Sequence, residues 1–367
     1  MQTPVQVPYN WSIDGLRGLL AIAVMLYHGL YGAGIAEPER VAYYAVYGFF
    51  VISGFALNHV YRERLRGLGA HWRYFLRRYL RIAPLFLLVL AVTLWIRGIP
   101  AESGWRLLMN VTLIFGAFDP GATSLVMAGW SIGIEFVFYF VFPVILLIGK
   151  RQLWRLIVMA VLATGLGLYH ANSAVDPDLP RMTADIWRDY TQPQAFLGYF
   201  LAGIVFSELN LKVFASKSPG ASAIIWLPIV GILFALLPFL TISVQSPLQL
   251  ISGLNGIVLM AATMLLVFSA SFLPISKESW LGLTCKWLGI ISYGTYLIHP
   301  LVQLLLSRYD ISDGLPRIAL GSVISILLAL IVYFLIENPI RRLGRNPHLR
   351  AEQTSVKSRS SRGETLT

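Results

Sequence analysis

Runs of about twenty apolar residues recur along the whole chain, and each is long enough to cross a hydrocarbon core of about 30 Å. No other feature restricts the fold so tightly. The runs do not alternate apolar with polar residues, which excludes a membrane β-barrel. Charged residues make up 13% of the 367 positions and hydrophobic ones 56%, where a soluble domain carries about 25% charge. The chain is therefore read as an all-α, polytopic membrane bundle. Ten spans are predicted, at 12–31, 41–61, 79–97, 130–149, 153–170, 190–209, 223–242, 249–273, 287–307 and 317–338. The apolar stretch 105–118 is too short for a span and reads as an interfacial or re-entrant segment.

Charge sets the topology. Segments 62–81, 150–155, 207–222, 274–286 and 339–367 hold 21 of the 29 Lys and Arg residues. The positive-inside rule places these segments and both termini in the cytoplasm of a cell inner (plasma) membrane protein. The opposite face carries ten acidic residues against five inside. Making 105–118 a full span would invert everything after it and spoil this bias. The net charge of +11 is thus a topology signal and contact with membrane lipids, and no nucleic-acid partner is expected. The first span lacks a basic leader and a small-residue cleavage pattern, so it is expected to stay as an anchor. Residues 1–342 form the transmembrane domain, and 343–367 a polar, Ser/Arg-rich cytoplasmic tail expected to be disordered. Cys285 is the only cysteine, which rules out an intramolecular disulfide or a cysteine metal cluster, and no metal is expected. The absence of a clear internal repeat weighs against an inverted-repeat transporter.

Six ionisable residues stand out inside spans: Asp14, Arg17, His28, Glu135, His299 and Glu337. Such groups are costly in lipid and are functional candidates by default. At about 1.5 Å per residue, Arg17 lies about 8 Å inside the cytoplasmic edge and His28 about 24 Å in. Their separation of 11 residues is three turns plus about 20°, so they share a face. Asp14 is placed to pair with Arg17. Glu135, entering from the other side, lies at nearly the depth of His28. If the two helices pack, the carboxylate would orient the imidazole and stabilise its charged form, an arrangement that takes a proton from a hydroxyl. His299 is open between a site and a packing role. Pro300 leaves the Tyr296 carbonyl without its donor, so a kink is expected there. Glu337 reads as structural, paired with Arg341 one turn on.

Segment 61–86, "YRERLRGLGAHWRYFLRRYLRIAPLF", carries seven arginines. Topology and anionic lipid explain Arg62, Arg64 and Arg66. Arg78 and Arg81 sit three apart on a helix entering the membrane, and two guanidiniums at such a mouth suit a phosphorylated anion. In "YGFFVISGFAL" (47–57), Gly48, Ser53 and Gly54 read first as small residues for close helix packing, with a substrate path along that face as the alternative.

These segments together resemble the acyltransferase type 3 family of integral membrane acyltransferases. The resemblance rests on "SIDGLRGLLAIAVMLYH" (12–28), "YGFFVISGFAL" (47–57), "RRYLRIAP" (77–84), "WSIGIEFVFYFVFP" (130–143), "ISYGTYLIHP" (291–300) and "IENPIRR" (336–342), in that order, and covers about residues 10–342. Some members append a soluble esterase-like domain, and this chain resembles the stand-alone form. Gly133 stands where a bulkier residue is common, and Phe136 where a second acid often follows.

The resemblance implies transfer of an acyl group, most often acetyl, from cytoplasmic acyl-CoA to a hydroxyl of an envelope or exported glycan, or of a lipid-linked sugar. It implies roles for Arg17 and His28 in the first span, for the Arg78–Arg81 pair at acyl-CoA, and for Glu135. The expected mechanism is direct transfer. The two arginines hold coenzyme A phosphates, the pantetheine arm passes Arg17, and His28, oriented by Glu135, deprotonates the acceptor. Tyr139 and Tyr296 are candidates for the oxyanion. Cys285, near an edge, is a poor nucleophile. The alternative is a polytopic transporter or proton-coupled exporter of a glycan or small molecule, which would not need the arginine pair.

Overall fold

In a computed structural model, residues 9–35, 39–98, 104–149, 152–179, 181–215, 221–244, 246–308 and 314–343 are described. They form helices α1 (Trp11–Gly32), α2 (Glu39–Tyr61), α3 (Leu68–Arg97), α4 (Gly104–Thr112), α5 (Pro120–Thr123), α6 (Gly129–Gly149), α7 (Leu153–Ala174), α8 (Ala184–Tyr190), α9 (Pro193–Ala215), α10 (Ala221–Thr241), α11 (Gly253–Ser271), α12 (Trp280–Arg308), α13 (Leu315–Val332) and α14 (Asn338–Leu343). No strand occurs among the described residues. Nine of the helices are long and apolar enough to cross a membrane, and the seventh predicted span is α10, whose apolar stretch Trp226–Thr241 is shorter. Segment 105–118 forms α4 and a 3₁₀ turn at Ile114–Ala117, not a span. Beyond Leu343 the tail lies outside the described residues.

The helices come close where their facing residues are small. In α1 and α12, which run parallel, a Cβ on Gly18 would meet the Leu288 carbonyl at 2.6 Å, and one on Gly289 would meet Asp14. In α2 and α9, a Cβ on Gly54 would lie 1.9 Å from the Phe200 carbonyl, and one on Gly203 1.9 Å from that of Val51. With lipid around the bundle, such backbone approach supplies the packing that a water-driven core would otherwise give. Gly54 is therefore a packing residue, as its sequence context suggests. Gly133 has the same explanation. It meets Gly116 so closely that a Cβ on Gly116 would sit 1.9 Å from the Gly133 carbonyl, which tucks the 3₁₀ turn against α6.

The apolar window of α2 is 78% buried and that of α7 only 17%, so α2 is central and α7 peripheral. A polar clamp ties the basic end of α2 to α9. Asn58 donates to Ser207 at 3.2 Å and to Glu208 at 2.8 Å, and Arg62 pairs with Glu208 at 2.8 Å. Arg62 is thus an inter-helix strut as well as a topology charge. Helix α12 continues through Pro300 as one helix. Glu337 does not pair with Arg341: it makes no ion pair among the described residues, and its buried Oε1 has no partner. It ends a π-helical stretch, Tyr333–Glu337, and is buried, whereas Arg341 on the following α-helical turn is exposed, so the two side chains sit in different surroundings.

Candidate functional site

Two cavities occupy the centre of the bundle, and they share a wall. The first is lined by Arg17, Ser53, Arg78, Arg81, Glu135, Tyr139 and Tyr296, among others. Seven of the nine residues selected from the sequence therefore converge, although they come from α1, α2, α3, α6 and α12. The other two, His28 and His299, lie toward the opposite end. His28 lines a second cavity with Tyr27, Tyr43, Arg97, Trp130 and Trp187. Val46 and Tyr296 border both. The first cavity is narrow, about 80 Å³, and the second roomier, about 410 Å³.

In the first cavity Arg17 pairs with Asp14 at 3.4 Å. It also donates to the Gly289 carbonyl at 2.7 Å and to Ser292 at 3.0 Å. These bonds hold the guanidinium against α12. Arg78 stacks over the Tyr61 ring at 4.8 Å and the Tyr139 ring at 5.6 Å, and its buried Nε has no partner. Neither Arg78 nor Arg81 makes an ion pair among the described residues. Buried charge is costly unless it is paired, and this cavity sets three guanidiniums, those of Arg17, Arg78 and Arg81, against one carboxylate.

Glu135 is the one carboxylate lining this cavity. Its Oε1 accepts from Ser53 and from Tyr139, each at 2.7 Å. Ser53 therefore has a polar role beyond its small size. The Tyr139 hydroxyl donates to Glu135. Tyr296 presents its hydroxyl to Ser131 at 2.8 Å and to the Ala128 carbonyl at 3.3 Å, at the wall between the cavities.

The expected His28–Glu135 pair does not form. His28 Nδ1 lies 3.1 Å from the Val24 carbonyl and 3.0 Å from His299 Nε2, and the two imidazoles stack at 5.1 Å between centroids. Helix rise put the two at similar depth, but they line different cavities, and depth does not say which helices adjoin. His28 faces α12, while Glu135 faces α2. His299 is fully buried and lines neither cavity; its Nδ1 is 3.0 Å from the Thr295 carbonyl, and its other nitrogen meets His28.

Sequence reasoning missed Ser131, Ser292 and Tyr293, which line the first cavity. Ser292 and Tyr293 lie within the "ISYGTYLIHP" segment, whose polar residues are the usable signal. Tyr61, which the sequence did not single out, packs on Arg78.

The acyltransferase domain family matches residues 10–336. Peptidoglycan O-acetyltransferase OatA of Listeria monocytogenes is 27% identical over 92% of this chain and 56% of its own length. O-acetyltransferase OatA of Staphylococcus aureus is 24% identical over 94% of this chain and 58% of its own. The chain thus spans a little over half the length of these two. Acyltransferase MdmB of Streptomyces mycarofaciens is 25% identical, over 90% of this chain and 92% of its own. No solved structure matches significantly. With the family matched over nearly the whole chain and its polar residues gathered in two adjoining cavities, the chain belongs to the acyltransferase domain family of membrane proteins.

Proposed function

We propose that the chain carries an acyl group, acetyl in the simplest case, from acyl-CoA at its basic, cytoplasmic end to a hydroxyl of an envelope glycan at the other. Peptidoglycan is the acceptor class suggested by the name of the Listeria relative. The single observation that carries this reading is the junction of two unlike cavities. One is narrow and holds Arg17, Arg78 and Arg81 against one carboxylate, while the other is roomy and holds a histidine.

In this reading the protein lies in the inner membrane with both termini cytoplasmic, following the charge bias. Arg78 and Arg81 take phosphate oxygens of coenzyme A, the fork geometry suiting bidentate contact. The narrow cavity admits the pantetheine arm, not the nucleotide. Glu135, held by Ser53 and Tyr139, accepts from amide N–H groups of that arm through Oε2. The thioester carbonyl then reaches the shared wall, where the Tyr296 hydroxyl is placed to donate to its developing oxyanion. In the outer cavity the acceptor sugar sits against the aromatic rings, and His28 removes the proton from its hydroxyl. Oxygen attacks the carbonyl carbon, the C–S bond breaks, and the proton passes to the leaving thiolate to give coenzyme A thiol and the ester. The arginine pair favours this over an exporter, which has no need of phosphate-binding groups at the mouth.

Purified protein in nanodiscs, given carbon-13-labelled acetyl-CoA and soluble peptidoglycan fragments, tests the reading. Mass spectrometry should find one labelled acetyl group on the glycan, bound through an alkali-labile ester. Intact thioester and unmodified glycan after prolonged incubation would refute it.

A further inference from the structure

The two histidines fix one another's protons, and the fixed state is the one that a base needs. A backbone carbonyl can only accept, so the nitrogen facing it must carry hydrogen. His299 Nδ1 faces the Thr295 carbonyl at 3.0 Å and is therefore N–H. In the neutral ring its Nε2 is then a bare acceptor. That nitrogen lies 3.0 Å from His28 Nδ1, which also faces the Val24 carbonyl at 3.1 Å. Both neighbours demand a donor, so His28 Nδ1 carries hydrogen and shares it between them. The opposite tautomer would set lone pair against lone pair at both carbonyls. His28 Nε2 is consequently unprotonated, has no hydrogen-bond partner among the described residues, and belongs to a ring that lines the outer cavity and also a smaller one, about 30 Å³, bordered by Gln303 and Ile318.

We propose that His299 is the positioning residue for His28, occupying the role first expected of Glu135. This rests on the acyl-transfer reading for its consequence, though not for its geometry. When His28 Nε2 takes the acceptor's proton, positive charge develops on the ring. His299 Nε2, at the far nitrogen, is a neutral acceptor already aimed at the N–H that must carry that charge. The Val24 carbonyl alone keeps the tautomer, and His299 adds the stabilisation of the imidazolium. The sequence supports the pairing on structural grounds: α1 and α12 run parallel, and the close contacts Gly15–Cys285 and Gly18–Leu288 set the register that brings residue 28 to residue 299.

The test has two arms. In the first, nitrogen-15 histidine-labelled protein in nanodiscs is examined by solid-state NMR, with His28→Asn and His299→Gln spectra assigning the two rings among the six histidines of the chain. At neutral pH, His28 should show a protonated Nδ1 and a bare Nε2. A protonated Nε2 on neutral His28 overturns the proposal, whatever the protein's activity. In the second arm, His299→Phe keeps a planar ring but removes the acceptor, and should lower kcat by roughly 10–100-fold, as loss of a hydrogen bond to a charged group does. KM for acyl-CoA should stay within about twofold, because the donor contacts lie in the other cavity. His299→Gln restores an acceptor and should recover part of kcat. Equal losses in Phe and Gln variants of matched thermal stability would overturn the proposal. Complete absence of transfer in the parent protein, with the NMR tautomer as expected, would instead fail the acyl-transfer reading alone.

Discussion

Replacing Arg78 by Lys isolates geometry from charge at the donor cavity. Lysine keeps the positive charge but loses the planar fork and the stacking on Tyr61 and Tyr139, at 4.8 and 5.6 Å. Arg78 has an unpartnered, buried Nε, so the native side chain has a donor in reserve for a ligand. A charge-assisted hydrogen bond contributes about 1.5–3 kcal/mol, and 1.36 kcal/mol is tenfold in an equilibrium constant. Arg78→Ala should therefore weaken coenzyme A binding by roughly 10–150-fold. Arg78→Lys should fall between the parent and the Ala variant, since a point charge recovers attraction but not the bidentate contact. Calorimetric titration of coenzyme A into nanodisc-embedded protein measures all three. Dephospho-coenzyme A, which lacks the 3′-phosphate, and pantetheine itself locate the lost contact. Pantetheine should bind the parent and both variants alike. If coenzyme A affinity is unchanged in a well-folded Arg78→Ala, Arg81→Ala double variant, the pair faces lipid headgroups and the donor assignment fails.

Other expectations follow from the same geometry. Because His28 and Glu135 line different cavities, the losses in kcat from His28→Ala and Glu135→Gln should multiply in the double variant; a double variant no worse than His28→Ala alone would mean that the two act as a unit. The His28→Ala loss should itself reach about a hundredfold, within the range for general base catalysis, with coenzyme A binding unaltered by calorimetry. Gly203→Val should abolish monodisperse expression or lower thermal stability by at least about 3 kcal/mol, because no rotamer relieves a Cβ 1.9 Å from the Val51 carbonyl; a normal melting profile would contradict the α2–α9 packing. Glu208→Ala should cost about 2–4 kcal/mol by thermal unfolding, the lower end reflecting the partial exposure of Arg62, and the loss should shrink in an Arg62→Ala background.

The helices were legible because the bilayer imposes a length on each, and the ten apolar runs reappear with boundaries shifted by a few residues at most helix ends and more where α3 and α12 begin and where α9 and α13 end. The short segment 105–118 was legible for the same reason: nine residues of α4 cannot cross. The inner cavity was also largely legible, since an arginine or carboxylate inside an apolar run has few reasons to be there. What the sequence did not show was adjacency. Helix rise gives depth along the membrane normal, and the His28–Glu135 expectation used depth alone. The position of α1 beside α12, and not beside α6, is decided by Gly15, Gly18 and Gly289, which permit contact between the two backbones. Those glycines read only as generic small residues until the partner helix was known. The failure of the Glu337–Arg341 pair has a different origin. Glu337 is buried while Arg341, one turn on, is exposed, and one-turn spacing does not say which of the two residues the bundle covers.

The central claim is that donor and acceptor enter from opposite ends of the bundle and meet at Tyr296. Proteoliposomes of uniform orientation, verified by protease access to the 62–66 segment, test it directly. Labelled acetyl-CoA is placed only on the side of Arg78 and Arg81, and an impermeant glycan acceptor only on the side of His28. Labelled ester should appear on the glycan in this arrangement and not when the two compartments are exchanged. Transfer only when donor and acceptor share one compartment would contradict it.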